Sequence, residues 1–375
     1  MRLNIKYTFI NLRAFCFVIA FLIVNVIQAQ SVNFRVVGYY AGRTIAPDSF
    51  QVEKLTHLIW CFGHLNGNKL TIANDVDSTI IQQMVALKKR NPKLKVMLSL
   101  GGWGGCEHCS EVFSTEEGRK EFAKSAKALN DYFHTDGIDL DWEYPVVKGF
   151  PGHRYSPDDK NNFTELVKTL RSTLSTTNEI SFAAGGFTSY IDSSIDWKAI
   201  MPYIDFINVM SYDLVHGYST VSGHHTPLYS TPQQMESTDN AVNLLLEKGV
   251  PEDKIVIGVA FYGRFFKMTS DGPVDLYQSC KFEHGFSYKY ANDSLSGFTR
   301  MWDDMAKAPY AINNERRLLA TYDDERSVGL KVRYALRRNL GGIMFWQLYD
   351  DKFSGGLLDA ITNVWNNQDE QHRSK

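Results

Sequence analysis

The sequence has few cysteines, almost no net charge and no long uninterrupted apolar segment. Its 375 residues include five cysteines, too few for a disulfide framework in a chain of this length. The formal net charge is -2 at pH 7, which gives no sign of a surface that binds nucleic acid. Apolar residues make up 44% of the chain. This composition is typical of a globular protein with one large or two ordinary domains.

Residues 1–29 have the layout of a secretory signal peptide. Three basic residues and no acidic residue precede an apolar run at 14–27, and small and polar residues follow it. The run is short for a membrane-spanning helix, which needs about 20 residues. An uncleaved anchor is the alternative, because Ile27 is larger than the residue usual at that position before the cleavage site. We expect cleavage after Ala29, no stable membrane insertion afterwards, and a secreted or periplasmic protein.

Cys106 and Cys109 form a Cys-x-x-Cys pair outside the predicted signal peptide. The pair resembles half of a zinc site, but no second pair of Cys or His ligands follows at a suitable spacing. We therefore expect either a small local disulfide or two free thiols, with no metal and no cofactor. Cys61 lies in an apolar segment and is expected to be a small core residue.

Short β-branched segments alternate with longer amphipathic segments over the rest of the chain. This alternation is typical of a parallel sheet with helical crossovers. Eight strands are predicted, at 34–40, 55–62, 95–100, 137–143, 180–185, 205–212, 254–262 and 342–348. Eight such strands in about 340 residues favour one (β/α)8 TIM barrel over residues 30–375. An open doubly wound sheet is the alternative, but no Gly-rich nucleotide-binding turn follows the first predicted strand.

One interval interrupts this alternation. Between the seventh predicted strand and the last predicted helix lie about 60 residues, far more than an ordinary βα loop contains. The interval is rich in aromatic residues. We predict that residues 265–320 form a small α+β insertion, which supplies its own core or one wall of a groove.

The most informative segment reads Asp-Gly-Ile-Asp-Leu-Asp-Trp-Glu and occupies residues 136–143. In a strand, side chains alternate between faces, so Asp139, Asp141 and Glu143 project to one side. Like charges this close cannot all stay ionised, so at least one carboxyl should hold a proton near neutral pH. Such a strand can supply a general acid beside an electrostatic partner, as cleavage of a glycosidic bond requires. A calcium site is the alternative, but the spacing is not that of a calcium loop and the interior of such a barrel is normally filled by side chains.

Polar and aromatic residues also gather at the predicted C-terminal ends of other strands, where the active sites of such barrels lie. The third strand ends in Ser-Leu-Gly-Gly-Trp, the sixth in Met-Ser-Tyr-Asp, the seventh in Phe-Tyr-Gly-Arg and the eighth in Trp-Gln. The two glycines allow close approach of backbone and ligand. Aromatic rings at several strand ends suit the apolar faces of sugars.

Together these segments resemble the family 18 glycoside hydrolases, the bacterial-type chitinases. Residues 136–143 match that family's DxxDxDxE motif, and SLGG, MSYD, FYGR and GGIMFW occur in the order that the barrel requires. The resemblance implies a secreted, monomeric chitinase that hydrolyses β-1,4 bonds between N-acetylglucosamine units of chitin or its oligosaccharides. It further implies a retaining mechanism in which the substrate's acetamido oxygen is the nucleophile and an oxazolinium ion forms.

The resemblance also implies roles for individual residues. Glu143 would be the general acid and later the base, while Asp141 would orient the acetamido group and share a proton with Asp139. Tyr212 would donate a hydrogen bond to the acetamido oxygen. The residues expected to bind the sugar are Tyr39, Phe62, Trp103, Met210, Asp213, Tyr262, Arg264 and Trp346. Those expected to support the strands are Asp136, Ser99, Gly101 and Gly102.

Other functions fit parts of the sequence. An endo-β-N-acetylglucosaminidase or a peptidoglycan hydrolase would use the same acetamido chemistry, and a chitin-binding lectin would use the same groove without cleavage. The complete set of Glu143, Asp141 and Tyr212 favours an enzyme, whereas Trp346, the FYGR segment and the insertion favour chitin. Gln347 follows Trp346 where many chitinases carry an acidic residue, a departure expected to alter a neighbouring subsite.

Overall fold

Eight parallel strands close into a barrel in the part of the chain that the computed structural model describes, residues 34–373. In order around the barrel they are β1 (Arg35–Tyr40), β2 (His57–Asn66), β4 (Lys95–Gly101), β5 (Gly137–Asp141), β6 (Glu179–Gly185), β7 (Phe206–Met210), β8 (Ile255–Ala260) and β14 (Gly342–Trp346). β1 pairs in parallel with both β2 and β14, which closes the sheet. The predicted (β/α)8 barrel is therefore confirmed. The predicted signal peptide, residues 1–29, lies outside the described residues.

Helices surround the barrel and bury the outward-facing side of its strands. The α-helices are Asp75–Ala86, Cys109–Phe113, Glu116–Phe133, Asp159–Thr173, Thr188–Ser193, Trp197–Ile200, Thr238–Glu247, Glu325–Arg337 and Leu357–Arg373. Short 3-10 helices lie at Pro47–Ser49, Val52–Lys54, Leu87–Lys89, Glu252–Lys254 and Leu348–Asp350. The largest apolar cluster fills the layer between strands and helices, and a smaller one, with Val37, Ile59 and Phe206, fills the barrel interior. Between residues 34 and 373, no helix is both long and apolar enough to cross a membrane.

Two antiparallel elements extend beyond the barrel. β2 continues into a hairpin with β3 (Lys69–Thr71), which the sequence did not predict. A five-stranded sheet follows β8. Its strands are β9 (Tyr262–Met268), β10 (Cys280–Ser287), β11 (Thr299–Asp303), β12 (Ala308–Asn313) and β13 (Leu318–Tyr322), with short helices at Tyr288–Tyr290 and Ala291–Ser294. Their order in the sheet is β10-β9-β13-β12-β11. The insertion predicted at 265–320 is thus a mainly β structure that begins at Tyr262 and has apolar clusters of its own.

A disulfide joins Cys106 and Cys109 in the segment after β4. Of the two alternatives predicted for this pair, the structure contains the disulfide. Both cysteines are buried, and the Cys106 sulfur lies 3.8 Å from the carbonyl oxygen of Asp141. The bridge therefore constrains the segment after β4 at a point where it lies against the end of β5.

We expect the double substitution Cys106→Ser and Cys109→Ser to lower the free energy of unfolding by about 2 kcal/mol, the chain-entropy value for a loop of about four residues. Chemical unfolding of the double variant and of the parent measures this difference. Added reductant should destabilise the parent and leave the double variant unchanged. A parent whose stability does not respond to reductant would contradict a closed disulfide.

Candidate active site

The predicted acid strand has the expected alternation. Ile138 and Leu140 belong to the apolar layer beneath the helices, whereas Asp139 and Asp141 lie on the other side and are 0% and 3% exposed. β5 ends at Asp141 instead of the predicted Glu143, so Glu143 lies in the loop just after the strand and is half-buried. The carboxyls thus lie at the C-terminal end of the barrel, where such folds place their chemistry.

Asp139 accepts hydrogen bonds from side chains of four other strands. Its Oδ2 accepts from Tyr39 Oη at 3.0 Å and from Ser99 Oγ at 2.9 Å. Its Oδ1 accepts from Ser181 Oγ at 2.6 Å and from Asn208 Nδ2 at 3.2 Å. Burial raises the pKa of Asp139, and these four hydrogen bonds oppose that shift. Asp139 is therefore held rigidly below the other two carboxyls.

Ser181 and Asn208 were not among the predicted site residues. Each is a single polar residue inside an apolar strand segment, and both are 0% exposed. A buried polar side chain needs a hydrogen-bond partner. A lone Ser or Asn at an inward-facing strand position could therefore have indicated a partner for the buried Asp139. Tyr39, predicted to contact sugar, is 1% exposed and bonds to Asp139.

Asp141 and Glu143 hold protons more strongly than ordinary carboxyls. Burial raises the pKa of Asp141 well above its usual range, and the charges of Glu143 and Asp139 add to the effect. Burial also raises the pKa of Glu143 to about 7, although a hydrogen bond from Tyr144 opposes the shift. Among the described residues, Asp141 Oδ1 is buried without a hydrogen-bond partner. An orphaned acceptor of this kind costs free energy until a donor reaches it.

Tyr212 lies beside these carboxyls, two residues beyond the end of β7. Burial raises the pKa of its hydroxyl well above the usual value, and the charges of Asp141 and Glu143 raise it further. The hydroxyl faces Met344 Sδ at 3.6 Å, and a thioether sulfur is a weak acceptor. The ring packs edge-on against Tyr262, with 6.1 Å between ring centroids. The Tyr212 hydroxyl is therefore free to exchange the sulfur for a better acceptor.

An ion pair follows Tyr212 at the same rim. Arg264, from β9, donates two hydrogen bonds to the carboxylate of Asp213. Burial alone would raise the pKa of Asp213, but His225, whose Nδ1 lies 3.5 Å from Asp213 Oδ1, and the hydrogen-bonded Arg264 lower it overall. The φ angle of Asp213 is 56°, in the left-handed region that few non-glycine residues adopt. Asp213 thus remains a negative charge near Glu143, and its field raises the pKa of Glu143.

Aromatic rings form the base of the site and one side of it. Trp346, at the end of β14, stacks on Phe62 with 5.5 Å between centroids and an interplanar angle of 12°. Trp346 also contacts Tyr39, and Met210 packs in the same interior cluster.

Trp103 is 49% exposed, and its neighbours are Tyr144, Phe150 and Tyr218. A half-exposed indole is an available apolar surface for a ring-shaped ligand.

Gly101 and Gly102 permit the close approach of three strand ends. Their φ angles are 104° and 77°, in the region that favours glycine. A Cβ atom on Gly101 would lie 2.3 Å from the Asp141 carbonyl oxygen, and one on Gly102 would lie 2.4 Å from the Phe62 ring. The two glycines therefore bring the end of β4 against the acid strand and the aromatic base.

Asp136 lies apart from the other predicted residues, just before the start of β5. Its carboxylate accepts a hydrogen bond from the Val96 N–H at 2.7 Å and lies 2.6 Å from Lys88 Nζ. These partners belong to the N-terminal end of the barrel, where residues contribute to stability and not to catalysis. The structure therefore gives Asp136 a place in the scaffold and brings the remaining predicted residues together at the opposite end.

The fold and the site define a (β/α)8 barrel with an acid–base centre of three carboxyls at the C-terminal ends of its strands. The family model described as "Glycosyl hydrolases family 18" matches residues 35–351, and this chain belongs to that family. The family predicted from the sequence motifs is therefore confirmed.

Relatives and solved structures agree with this assignment. Chitinase A1 of Niallia circulans is 34% identical over 301 residues, which cover 72% of this chain and 43% of that protein. The chain thus spans less than half the length of that relative. The structure of a family 18 N-acetylglucosaminidase from Paenibacillus barengoltzii has a TM-score of 0.79 and 35% identity, over 88% of this chain and 99% of that one. A Group IV chitinase of Ostrinia furnacalis, solved with allosamidin, has a TM-score of 0.82 and 27% identity, over 89% and 99% of the two chains.

Proposed function

We propose that this protein hydrolyses the β-1,4 bonds between N-acetylglucosamine units of chitin or chitooligosaccharides. The observation that carries the proposal is the carboxyl centre, in which Glu143 has a pKa of about 7 beside the buried Asp141. A carboxyl that keeps its proton near neutral pH can protonate the oxygen of a leaving sugar. The chitinases among the relatives support chitin as the substrate class.

In the proposed first step, Glu143 donates its proton to the glycosidic oxygen as the bond to the anomeric carbon breaks. The acetamido oxygen of the same sugar forms a new bond to that carbon, giving an oxazolinium ion. The acetamido N–H supplies the donor that Asp141 Oδ1 lacks, so Asp141 orients the nucleophile and balances the growing positive charge. The Tyr212 hydroxyl donates a hydrogen bond to the acetamido oxygen, which replaces the Met344 sulfur as its acceptor.

In the second step, Glu143 removes a proton from water, and the water oxygen attacks the anomeric carbon as the bond to the acetamido oxygen breaks. Two inversions at one carbon leave the β configuration unchanged. Neither step forms a bond between sugar and enzyme. Asp139 stays beneath the reacting groups, held by its four donors. In the free enzyme its negative charge helps to keep the shared proton on Asp141. In the proposed mechanism this proton moves to Asp139 as the oxazolinium ion forms, which leaves Asp141 charged.

The aromatic residues complete the proposed sugar site. The stacked pair of Trp346 and Phe62 offers a flat apolar floor to the sugar at the cleavage point. Trp103 offers a second surface for a neighbouring sugar, since the residue is half exposed. The Asp213–Arg264 pair presents charged groups to sugar hydroxyls.

We propose further that the protein is exported. The composition of residues 1–29 supports a cleaved signal peptide. The Cys106–Cys109 disulfide supports an oxidising compartment, where such bridges persist.

The pH dependence of hydrolysis should report the protonation of Glu143. We expect kcat/KM to fall as the pH rises through about 7, because the general acid must carry its proton when substrate binds. Asp213→Asn should move this fall to lower pH, since the Asp213 charge raises the pKa of Glu143. Initial rates at low concentrations of a soluble oligosaccharide measure both effects. An alkaline side that stays flat well above neutral pH would assign the proton transfer to another group.

A product profile on defined chitooligosaccharides tests the proposed function. The chain without its predicted signal peptide should release N-acetylglucosamine oligomers, and NMR of the first products should show the β anomer. A thiazoline mimic of the oxazolinium ion should inhibit competitively. Binding of the oligosaccharides without any cleavage would instead establish a lectin. Cleavage only of glycoprotein or peptidoglycan substrates would establish one of the other acetamido glycosidases.

A second candidate function is the release of single N-acetylglucosamine units. The Paenibacillus barengoltzii structure described as an N-acetylglucosaminidase aligns over 99% of its length at 35% identity, which favours this candidate. The same product profile separates the two functions. A chitinase releases dimers and longer oligomers at the earliest times, whereas an N-acetylglucosaminidase releases the monomer first.

A further inference from the structure

A buried ion pair lies outside the candidate active site. Lys331, in the helix Glu325–Arg337, and Asp323, just before that helix, are both 0% exposed, and Lys331 Nζ lies 2.7 Å from Asp323 Oδ2. Removing two charges from water is costly, and a well-packed apolar pair is often equally stable. Stability alone therefore does not explain why a charged pair occupies this buried position.

The ion pair reaches two strand ends. Asp323 Oδ2 accepts a hydrogen bond from the backbone N–H of Ala260, the last residue of β8, at 3.1 Å. Lys331 Nζ donates to Thr226 Oγ1 at 2.6 Å, and Thr226 Oγ1 lies 3.1 Å from the carbonyl oxygen of Ser211. Since Lys331 occupies an acceptor position of the Thr226 hydroxyl, the single proton of that hydroxyl can go to the Ser211 carbonyl or to Asp323 Oδ2, which lies 3.2 Å from Thr226 Oγ1. Thr226 thereby connects the ion pair to the peptide bond that leads into Tyr212.

The same peptide is fixed from its other side. The Ser211 hydroxyl donates to the Gly258 carbonyl at 3.0 Å, and the Gly258 N–H donates back to it at 3.2 Å. Beyond the peptide, the Leu214 N–H donates to the His225 carbonyl at 3.0 Å, next to Thr226 in the chain. The segment that carries Tyr212 and Asp213 is thus held between β8 and the ion pair.

We propose that Thr226, Asp323 and Lys331 are positioning residues for hydrolysis. They fix the peptide plane between Ser211 and Tyr212 and the end of β8, and so hold the Tyr212 hydroxyl and the Asp213–Arg264 pair in register with the carboxyls. This inference rests on the proposed function, in which Tyr212 orients the acetamido nucleophile. Misplacement of an orienting group lowers kcat more than it raises KM, because orientation matters most in the transition state.

Thr226→Val tests the proposal, since valine nearly preserves the shape of threonine but removes the hydroxyl. We expect kcat to fall roughly tenfold, because small misplacements of catalytic groups have effects of this size or larger. KM should stay within about a factor of two, and Thr226→Ser, which restores a hydroxyl, should recover most of kcat. Thr362→Val is the matched control: Thr362 is 2% exposed and bonds only within its own helix. It should change stability without changing kcat.

A double variant separates positioning through Tyr212 from a general loss of structure. If Thr226 acts through Tyr212, then Thr226→Val should reduce kcat much less in a Tyr212→Phe background than in the parent. Equal losses in both backgrounds would overturn the inference, as would an unchanged kcat in Thr226→Val.

A crystal structure of Thr226→Val provides a readout that does not depend on activity. We expect a rotated Ser211–Tyr212 peptide and a displaced Tyr212 ring. An unmoved peptide would overturn the inference even if the chain cleaves chitin. A parent enzyme without activity on any chitooligosaccharide would overturn the proposed function instead, and the displaced peptide would still support the anchoring role.

Discussion

Glu143→Gln should reduce kcat on chitooligosaccharides by roughly 10³-fold, within the range that general acid–base catalysis supplies. Glutamine keeps the size of the side chain but cannot transfer a proton, and in the proposed mechanism both steps pass a proton through Glu143. Sugar binding should persist, because the aromatic floor of Trp346 and Phe62 and the acceptor on Asp141 are unchanged. Steady-state kinetics and isothermal titration with an uncleaved oligosaccharide measure the two effects separately.

Glu116→Gln is the matched control for this substitution. Glu116 is 72% exposed and pairs with Lys120 on a surface helix, so the same chemical change there should leave kcat unaltered. A Glu143→Gln enzyme that retains a substantial fraction of parent activity would show that another group donates the proton. Loss of sugar binding together with activity would show that Glu143 is needed to form the site itself.

Asp141→Asn should have two opposite effects, a loss of about 10²-fold or more in kcat and a gain in stability at neutral and alkaline pH. The kinetic loss follows because asparagine cannot balance the positive charge of the oxazolinium ion. The gain follows from burial, which raises the pKa of Asp141 well above its usual range. Ionising this carboxyl costs free energy in the folded state only, so the stability of the parent falls as the pH rises from the unfolded pKa through the folded pKa. Asparagine has no charge to bury and escapes this loss.

Melting temperatures at about pH 5 and about pH 8 test the second effect, and the advantage of Asp141→Asn should be larger at the higher pH. Asp139→Asn is the informative comparison. Asp139 accepts four hydrogen bonds, and an amide nitrogen in place of one oxygen would leave donors without an acceptor. We therefore expect Asp139→Asn to lower the melting temperature. A lower melting temperature for Asp141→Asn at both pH values would show that its charge is stabilised in the folded protein.

The barrel and the carboxyl centre could be predicted because their signals are local. The alternation of strand and helix patterns predicts the parallel sheet, and the two-residue period of a strand places Asp139 and Asp141 on one face. The ends of the strands were harder to predict from the sequence. β5 ends at Asp141 and β7 at Met210, two residues earlier than predicted in each case, because side-chain patterns continue where the ladder of backbone hydrogen bonds stops.

Long-range partners were not predictable from local patterns. Thr226, Asp323 and Lys331 are about one hundred residues apart at the extremes, and each alone resembles a surface residue until the fold buries it. Cys106 and Cys109 were compatible with a bridge or with free thiols, since only the three-dimensional path of the loop decides between them. The aromatic interval at 265–320 indicated an insertion, but the strand order of its sheet depends on pairings between distant segments.

The donors around Asp139 also constrain how the barrel assembles. Ser99, Ser181 and Asn208 each lie between two apolar neighbours in their strands. A slip of one residue in β4, β6 or β7 would point such a neighbour at Asp139 in place of the donor and turn the donor toward the helices. The buried carboxyl would then lack a partner, at a free-energy cost that disfavours the slipped pairing. The group that supports the chemistry therefore also selects the correct strand register during folding, so a substitution at Asp139 should increase misfolding as well as impair catalysis.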